Sequence, residues 1–348
     1  MDTRVIKLSQ SDCKLSESLE PAASIIRNGG LVVFPTETVY GLGGDATNPE
    51  AAKKIYAAKG RPSDNPLIIH LSTPEEAEGY AYTNEVYYKL AARFMPGPLT
   101  LILKAKSSIP KETRGGLDTV AVRCPENLIA RELISLSGIP IAAPSANISG
   151  RPSPTKAAHV IEDMMGRVDM IIDGGECDFG LESTILKIEE DGGVILLRPG
   201  KITADDILPF VKYVNVANAV KEELKPSESA ISPGMKYRHY APRAPLFLLD
   251  CEHSKAVKFL EERKETKRIA VISYSEDEAD FKNICETVYS IGSKSDEFTQ
   301  AHRLFDILRE IDAHNFEEIY APLPRAEGVG LALYNRLIRA SAHHIIRM

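Results

Sequence analysis

The chain has 348 residues, 43% hydrophobic and 26% charged, the balance of an ordinary soluble globular protein. A formal charge of −7 argues against a protein that coats nucleic acid, so any basic site has to be local. The five scattered cysteines form no Cys-x-x-Cys pair, which suits reduced thiols rather than a disulfide frame or a zinc site. At roughly 150 residues per domain the length suits two domains. No apolar run reaches signal-peptide length or the roughly 18 residues of a membrane span, so the expectation is a cytoplasmic protein without membrane contact.

Residues 20–28 read as a short helix ended by Asn28-Gly29-Gly30, which suits a left-handed cap. Leu31-Val32-Val33-Phe34 then makes a buried strand that runs into Pro35-Thr36-Glu37-Thr38 and a Gly41-Leu42-Gly43 turn. In open α/β sheets ligands collect beyond the carboxyl ends of strands, so this stretch is a candidate pocket floor, although a plain tight turn would look the same. No P-loop occurs. Asn48-Pro49-Glu50 opens a second helix that runs to Lys59. A rigid loop, Gly60-Arg61-Pro62-Ser63-Asp64-Asn65-Pro66, feeds a strand over 67–71. Thr73-Pro74-Glu75-Glu76 reads as a capping box, and Val86, Leu90, Ala91 and Phe94 share one helical face.

Further strands are predicted at 99–103, 119–123, 139–143, 170–173, 183–189 and 193–198, with helices near 126–137, 155–165 and 203–212. This alternation gives an α/β domain over 1–212. Residues 213–243 lack apolar periodicity, carry three prolines and read as an interdomain linker. From 244 to 348 a smaller α/β domain with a parallel sheet is expected: strands at 246–249, 269–273, 288–291 and 319–323, and a closing helix over 329–345.

The chemistry-bearing residues are cations, hydroxyls and small loops. Lys59 and Arg61 can hold a polyphosphate, or Lys59 can simply complement its helix dipole. His70 ends an apolar strand, either as a satisfied core residue or as a catalyst. Arg123 ends another and needs an anionic partner, which a substrate carboxylate or an internal acid would supply. Residues 140–155 are the most informative: an apolar strand empties into Ala143-Pro144-Ser145-Ala146-Asn147, with Ser149, Gly150 and Ser153 among prolines. Such residues let backbone amides and hydroxyls approach phosphate. No Ser/His/Asp order, Cys/His pair or metal-ligand spacing accompanies them. The set suits phosphoryl or nucleotidyl transfer, in which positioning and charge stabilisation carry the catalysis.

With these residues in view, the chain closely resembles the threonylcarbamoyl-AMP synthase (YrdC/YwlC) family in its long two-domain form. The resemblance rests on 34–42, Lys59-Gly60-Arg61-Pro62, Asn65 to His70, Pro96-Gly97-Pro98-Leu99-Thr100, Val122-Arg123-Cys124-Pro125, 143–150, Ser183-Thr184 and Arg198-Pro199-Gly200. The linker motif 232–242, Glu327-Gly328-Val329-Gly330 and Asn335-Arg336-Leu337 extend it to the second domain. It implies a YrdC-like twisted mixed α/β sheet domain followed by a smaller Rossmann-like one. It also implies that L-threonine, bicarbonate and ATP give threonylcarbamoyl-AMP and pyrophosphate, with Mg2+ carried by ATP and no protein metal site. The product passes to downstream transferase proteins that modify the adenosine beside the anticodon of tRNA.

By the resemblance, Thr36, His70, Arg123, Ala143 and Ser183 would hold threonine, with Arg123 on its carboxylate. Lys59, Arg61, Ser63, Thr119, Ser145, Ser153 and Arg198 would hold ATP, Lys59 and Arg61 acting on the transferring phosphate. Tyr237 and His239, in the basic aromatic run 236–240, would close over the nucleotide as a flap that excludes water. Two rivals stay open: a non-catalytic RNA-binding module making weak tRNA contacts, and carbamoyl adenylation for another acceptor.

Overall fold

The computed structural model describes residues 2–222, 240–285 and 287–348; Tyr237, His239 and the flap expectation built on them lie outside the described residues. The described residues divide into two compact units. The first holds everything up to 222 except Gly150–Pro152, and the second holds those three residues and everything from Tyr240 onward.

The first unit runs β1 (Arg4–Lys7), α1 (Leu15–Arg27), β2 (Val32–Phe34), β3 (Gly41–Asp45), α2 (Pro49–Lys59), β4 (Ile68–His70), a 3-10 turn (Pro74–Gly79), β5 (Ala81–Tyr82), α3 (Glu85–Phe94), β6 (Leu99–Ala105) and β7 (Thr119–Arg123). It continues with α4 (Leu128–Ser137), β8 (Ile141–Ala142), α5 (Ala157–Met164), β9 (Met170–Asp173), β10 (Thr184–Ile188), β11 (Val194–Arg198), α6 (Ala204–Ile207) and β12 (Val214–Val216). The strands form one mixed sheet in the order β1-β9-β2-β3-β8-β4-β7-β6-β10-β11-β12, with β5 beside β6. A core of α1 and α4 packs Leu19, Ile26, Leu133 and Ile134 against Val32, Phe34 and Ile172 of the sheet.

Local chemistry fixes the elements nearest the site. The Asn48 side chain accepts from Glu50 N, Pro49 starts α2, and Gly60 ends it in the left-handed region at φ 61. Lys59 is thereby held at the last helical position. The stretch read as a strand and pocket-floor turn is a hairpin: β2 and β3 pair antiparallel, Phe34 opposite Gly41. Gly41 and Gly43 lie in β3 under the Phe34 ring, and a Cβ on Gly43 would sit 2.7 Å from that ring and 2.8 Å from Ile141. These glycines make room for the strand packing.

Other expectations shift for physical reasons. Helix α1 starts at Leu15, because Leu15 and Leu19 extend its buried face upstream of Pro21. Thr73 makes no capping bond; Glu76 reaches one residue further back, to Ser72 N and Ser72 Oγ, over a 3-10 turn. On α3, Tyr87 is buried where Val86 was expected. The stretch read as linker from 213 opens with β12, which pairs parallel with β11.

The second unit contains β13 (Leu246–Asp250), α7 (His253–Lys264), β14 (Ile269–Tyr274), α8 (Glu278–Lys282), β15 (Val288–Gly292), α9 (Glu297–Asp312), β16 (Glu318–Pro322), α10 (Gly330–Ala340) and β17 (Ile345–Arg347). Its sheet, β15-β14-β16-β13-β17, is parallel throughout. The closing helix is shorter than expected: Ala342 and His343 take positive φ, stop α10 and release β17 onto β13.

Candidate active site

One register row aligns three of the predicted site residues, His70, Arg123 and Arg198. His70 of β4 lies opposite Arg123 of β7, Arg123 opposite Thr100 of β6, Thr100 opposite Ile185 of β10, and Ile185 opposite Arg198 of β11. Partners directly opposite in a sheet share a face, so His70, Arg123, Thr100 and Arg198 present to the same side.

The hairpin turn carrying Thr36 meets this row. Arg123 Nη2 donates to Glu37 Oε1 at 2.7 Å, to Thr38 Oγ1 at 2.8 Å and to Thr36 Oγ1 at 3.5 Å. Glu37 Oε2 accepts from Glu126 N, and both members of the ion pair are 5% exposed. Of the two partners left open for Arg123, the internal acid is in place. Arg123 Nε, also buried, has no hydrogen-bond partner. Thr36 Oγ1 accepts from the amides of Thr38 and Val39 and donates to Val39 O, which freezes the turn. The loops over 154 and 177–180 bracket it through Tyr40 N to Pro154 O, Phe179 N to Glu37 O and Gly180 N to Thr38 O.

Lys59 is almost wholly buried, and its ammonium donates to Ser145 O, Asn147 O and Asn147 Oδ1. Ser145 Oγ donates to the same Asn147 Oδ1 at 2.6 Å, and Ser149 N to Lys59 O. Lys59 thus ties the 145–149 loop to the end of α2. Arg61 Nη2 donates to Asn65 O and Pro66 O, folding the 61–66 loop back on itself. Ser63 is exposed on that loop, and Thr119 stands at the opposite end of β7 from Arg123. Extending the β4–β7 register two residues back sets Thr119 level with Pro66. Ser183 is fully buried; its Oγ pairs with Thr100 Oγ1 at 2.7 Å and accepts from Arg198 Nη2 at 3.0 Å, while Arg198 Nε donates to Ser183 O. Ser153 Oγ donates to Glu182 Oε1 at 2.6 Å. Ala143 N bonds Ile68 O, placing Ala143 beside β4.

The electrostatics are those of a buried, hydrogen-bonded cluster. Burial, with the Arg123 charge beside it, pushes the His70 imidazole down to about 3. His70 is therefore neutral, Nδ1 3.2 Å from Ile68 O and its ring edge-on to Phe34. Burial raises the Cys177 thiol and pushes Cys124 up to about 12, which leaves both as packing thiols, not nucleophiles. Among the described residues no three His, Cys, Asp or Glu side chains gather as metal ligands.

Sequence reasoning passed over Glu37, Thr38, Thr100, Asn147 and Glu182, which hold the chosen residues in place. One signal was available: an Arg ending a buried strand demands a buried acid, and Glu37 interrupts the hydroxyl-rich turn that directly follows β2.

Comparison with known proteins divides the chain near residue 201, earlier than the structural units do. Residues 24–200 match the Sua5–YciO–YrdC family model, described as "Telomere recombination", and residues 202–342 match "Threonylcarbamoyl-AMP synthase, C-terminal domain". The chain is 45% identical over 333 residues to the threonylcarbamoyl-AMP synthase of Pyrococcus abyssi (strain GE5 / Orsay), covering 94% of this chain and 95% of that one. It is 42% identical over 343 residues to that of Bacillus subtilis (strain 168), covering 98% and 96%. The crystal structure of P. abyssi Sua5 complexed with L-threonine superposes with a TM-score of 0.90 at 42% identity, over 99% of this chain and 100% of that chain. Two family models spanning 24–200 and 202–342 and the full-length similarity agree: the chain belongs to the threonylcarbamoyl-AMP synthase family, in its two-domain form.

Proposed function

We propose that this protein makes threonylcarbamoyl-AMP and pyrophosphate from L-threonine, bicarbonate and ATP. The observation that carries the reading is Arg123, a buried cation fixed by Glu37 and the Thr36–Thr38 turn with its Nε unpartnered. A buried, preoriented N–H of that kind suits a small carboxylate, and threonine supplies one. His70, neutral beside it, offers a hydrogen bond without a competing charge. Thr36, Ala143 and Ser183 complete the threonine side. Ser183 acts through its position, because its hydroxyl is already engaged by Thr100 and Arg198.

The threonine amine, once it has lost its ammonium proton, adds to the bicarbonate carbon and water leaves, giving an N-carboxylate; one carboxylate oxygen attacks the α-phosphorus of ATP and pyrophosphate leaves. The 145–149 loop and the 61–66 loop bracket the nucleotide. Arg61, Ser63, Thr119, Ser145, Ser153 and Arg198 serve its phosphates and sugar, and Lys59 secures the loop that carries Ser145. Tyr237 and His239 join them from outside the described residues. Mg2+ would be carried by the ATP phosphates, whose charge it would offset; Glu37 and Glu182 are bound to Arg123 and Ser153. The adenylate then goes to cytoplasmic transferases acting on tRNA.

The test is pyrophosphate release from ATP and labelled bicarbonate, with and without L-threonine. Threonine-dependent pyrophosphate with a labelled adenylate supports the reading. Folded, magnesium-supplied protein that yields neither would overturn it and favour an RNA-binding surface, identified by steeply salt-dependent tRNA binding.

A further inference from the structure

The second unit has a cavity of its own, independent of the threonine chemistry. In its sheet the connections leaving β13 and β14 run toward the β15 edge, and those leaving β15 and β16 run back toward β17. Neighbours β14, β16 and β13 therefore send the chain in alternating directions. Such switch points, at the carboxyl ends of parallel strands, are where open α/β sheets bind ligands. A cavity of about 220 Å³ opens there, reached by Asp250 from β13, Ser273 from β14 and Pro322 from β16.

Its chemistry narrows the occupant. Ser273, one of the residues lining the cavity, is 1% exposed, and its buried Oγ has no hydrogen-bond partner. A buried hydroxyl is costly to leave so unless something else completes it. Asp277, also in the lining, faces Lys294 Nζ at 2.7 Å and His253 Nδ1 at 3.6 Å. A lone anion would meet the Asp277 and Asp250 carboxylates, and a lone cation would meet Lys294. The turn from β13 into α7, Asp250-Cys251-Glu252-His253, has no glycine and two acids, which opposes a pyrophosphate. The volume is below the roughly 300 Å³ where drug-sized pockets begin.

We propose that this cavity binds a small zwitterion of amino-acid size, its ammonium on Asp277, its carboxylate toward Lys294, and Ser273 Oγ completing one of the two. The experiment is equilibrium dialysis of full-length protein against each of the protein amino acids, radiolabelled. Inorganic phosphate and putrescine serve as single-sign probes. Wild type is compared with Ser273→Ala and Asp277→Asn. The expected result is at least one amino acid whose Kd rises roughly tenfold or more in both variants, while threonine-dependent pyrophosphate release is unchanged. Ser273→Ala, which removes an unpaired hydroxyl, should melt no lower than wild type without ligand. The proposal is overturned if every amino acid that binds does so equally in both variants, if none binds, or if phosphate or putrescine is the probe that the variants lose.

Discussion

Two Arg–Glu pairs, one taken from each unit, differ in what they leave over. In the second unit Arg263 Nε donates to Glu318 Oε2 at 2.6 Å and Nη2 to Glu318 Oε1, with Tyr320 Oη donating to the same carboxylate. That fork is matched and partly open to solvent, the arginine side chain 38% exposed. In the first unit Arg123 spends a single nitrogen on Glu37 and two threonines, deep in the fold, and keeps Nε unpartnered. A saturated pair at the rim holds a strand to a helix. A buried pair with a surplus donor is costly unless a ligand completes it, and that contrast supports the ligand-binding role proposed for Arg123 and a packing role for Arg263.

The largest expected effect comes from removing one member of the buried pair. Glu37→Gln leaves Arg123 charged and uncompensated, which costs about 3–5 kcal/mol, measured as a lowered urea midpoint. Replacing both, Glu37→Leu with Arg123→Met, should restore most of that stability, because an apolar pair of similar volume avoids the desolvation penalty. Threonine-dependent pyrophosphate release should stay lost. A Glu37→Gln protein of wild-type stability and turnover would erase the distinction between the two pairs.

Lys59 and Arg61 sharpen the comparison within the first unit. From the sequence, alanine at either position is expected to reduce turnover far more than stability. The buried Lys59 ammonium serves the carbonyls of Ser145 and Asn147, so Lys59→Ala should also destabilise by about 1–3 kcal/mol through unsatisfied buried acceptors. Arg61, half-buried on its loop, should show the turnover loss with a smaller shift in melting. Equal melting shifts in the two variants would mean that the Lys59 contacts do not organise the loop.

What the sequence revealed and what it hid divide along physical lines. The strands and helices around the site were legible because their signals are local: apolar runs at β6, β7, β9 and β14, and the Asn48–Pro49 start and Gly60 stop of α2. The cations were legible because their types are restricted in buried strands and rigid loops. The row that aligns His70, Arg123, Thr100 and Arg198 depends on pairing between strands far apart in the chain, and nothing local states that register. Nor could the sequence choose between a substrate and Glu37 as the partner of Arg123. Strand β12 was missed because Val214–Val216 is short and largely exposed, and β17 because the positive-φ break at 342–343 involves no glycine.

His70 gives the next effect in size, through pH. Its folded-state value is depressed to about 3, against an ordinary 6.5. The unfolded chain therefore takes up a proton as pH falls through 6.5 while the folded chain does not. Stability from this group is complete above 6.5 and declines down to about 3, at up to roughly 1.4 kcal/mol per pH unit where only the unfolded state is protonated. His70→Asn should flatten that part of the stability curve, measured by urea unfolding at pH 4.5 to 7.5. An unchanged slope would show that His70 is not held neutral by its surroundings.

The smallest effect is expected at the pair that the comparison marks as structural. Hydrogen bonding from Arg263 holds the Glu318 carboxyl below its ordinary 4.5. A depressed carboxylate contributes stability that is present above 4.5 and is lost as pH falls through the lower folded-state value. Glu318→Gln should thus remove a portion of the acid-side loss below pH 4.5 and lower the neutral-pH melting temperature only modestly, since the arginine can turn to water. Its threonine-dependent pyrophosphate release should equal wild type, in contrast to Glu37→Gln. If Glu318→Gln instead abolished turnover while the protein stayed folded, saturation and exposure would not be what separates a structural Arg–Glu pair from a functional one.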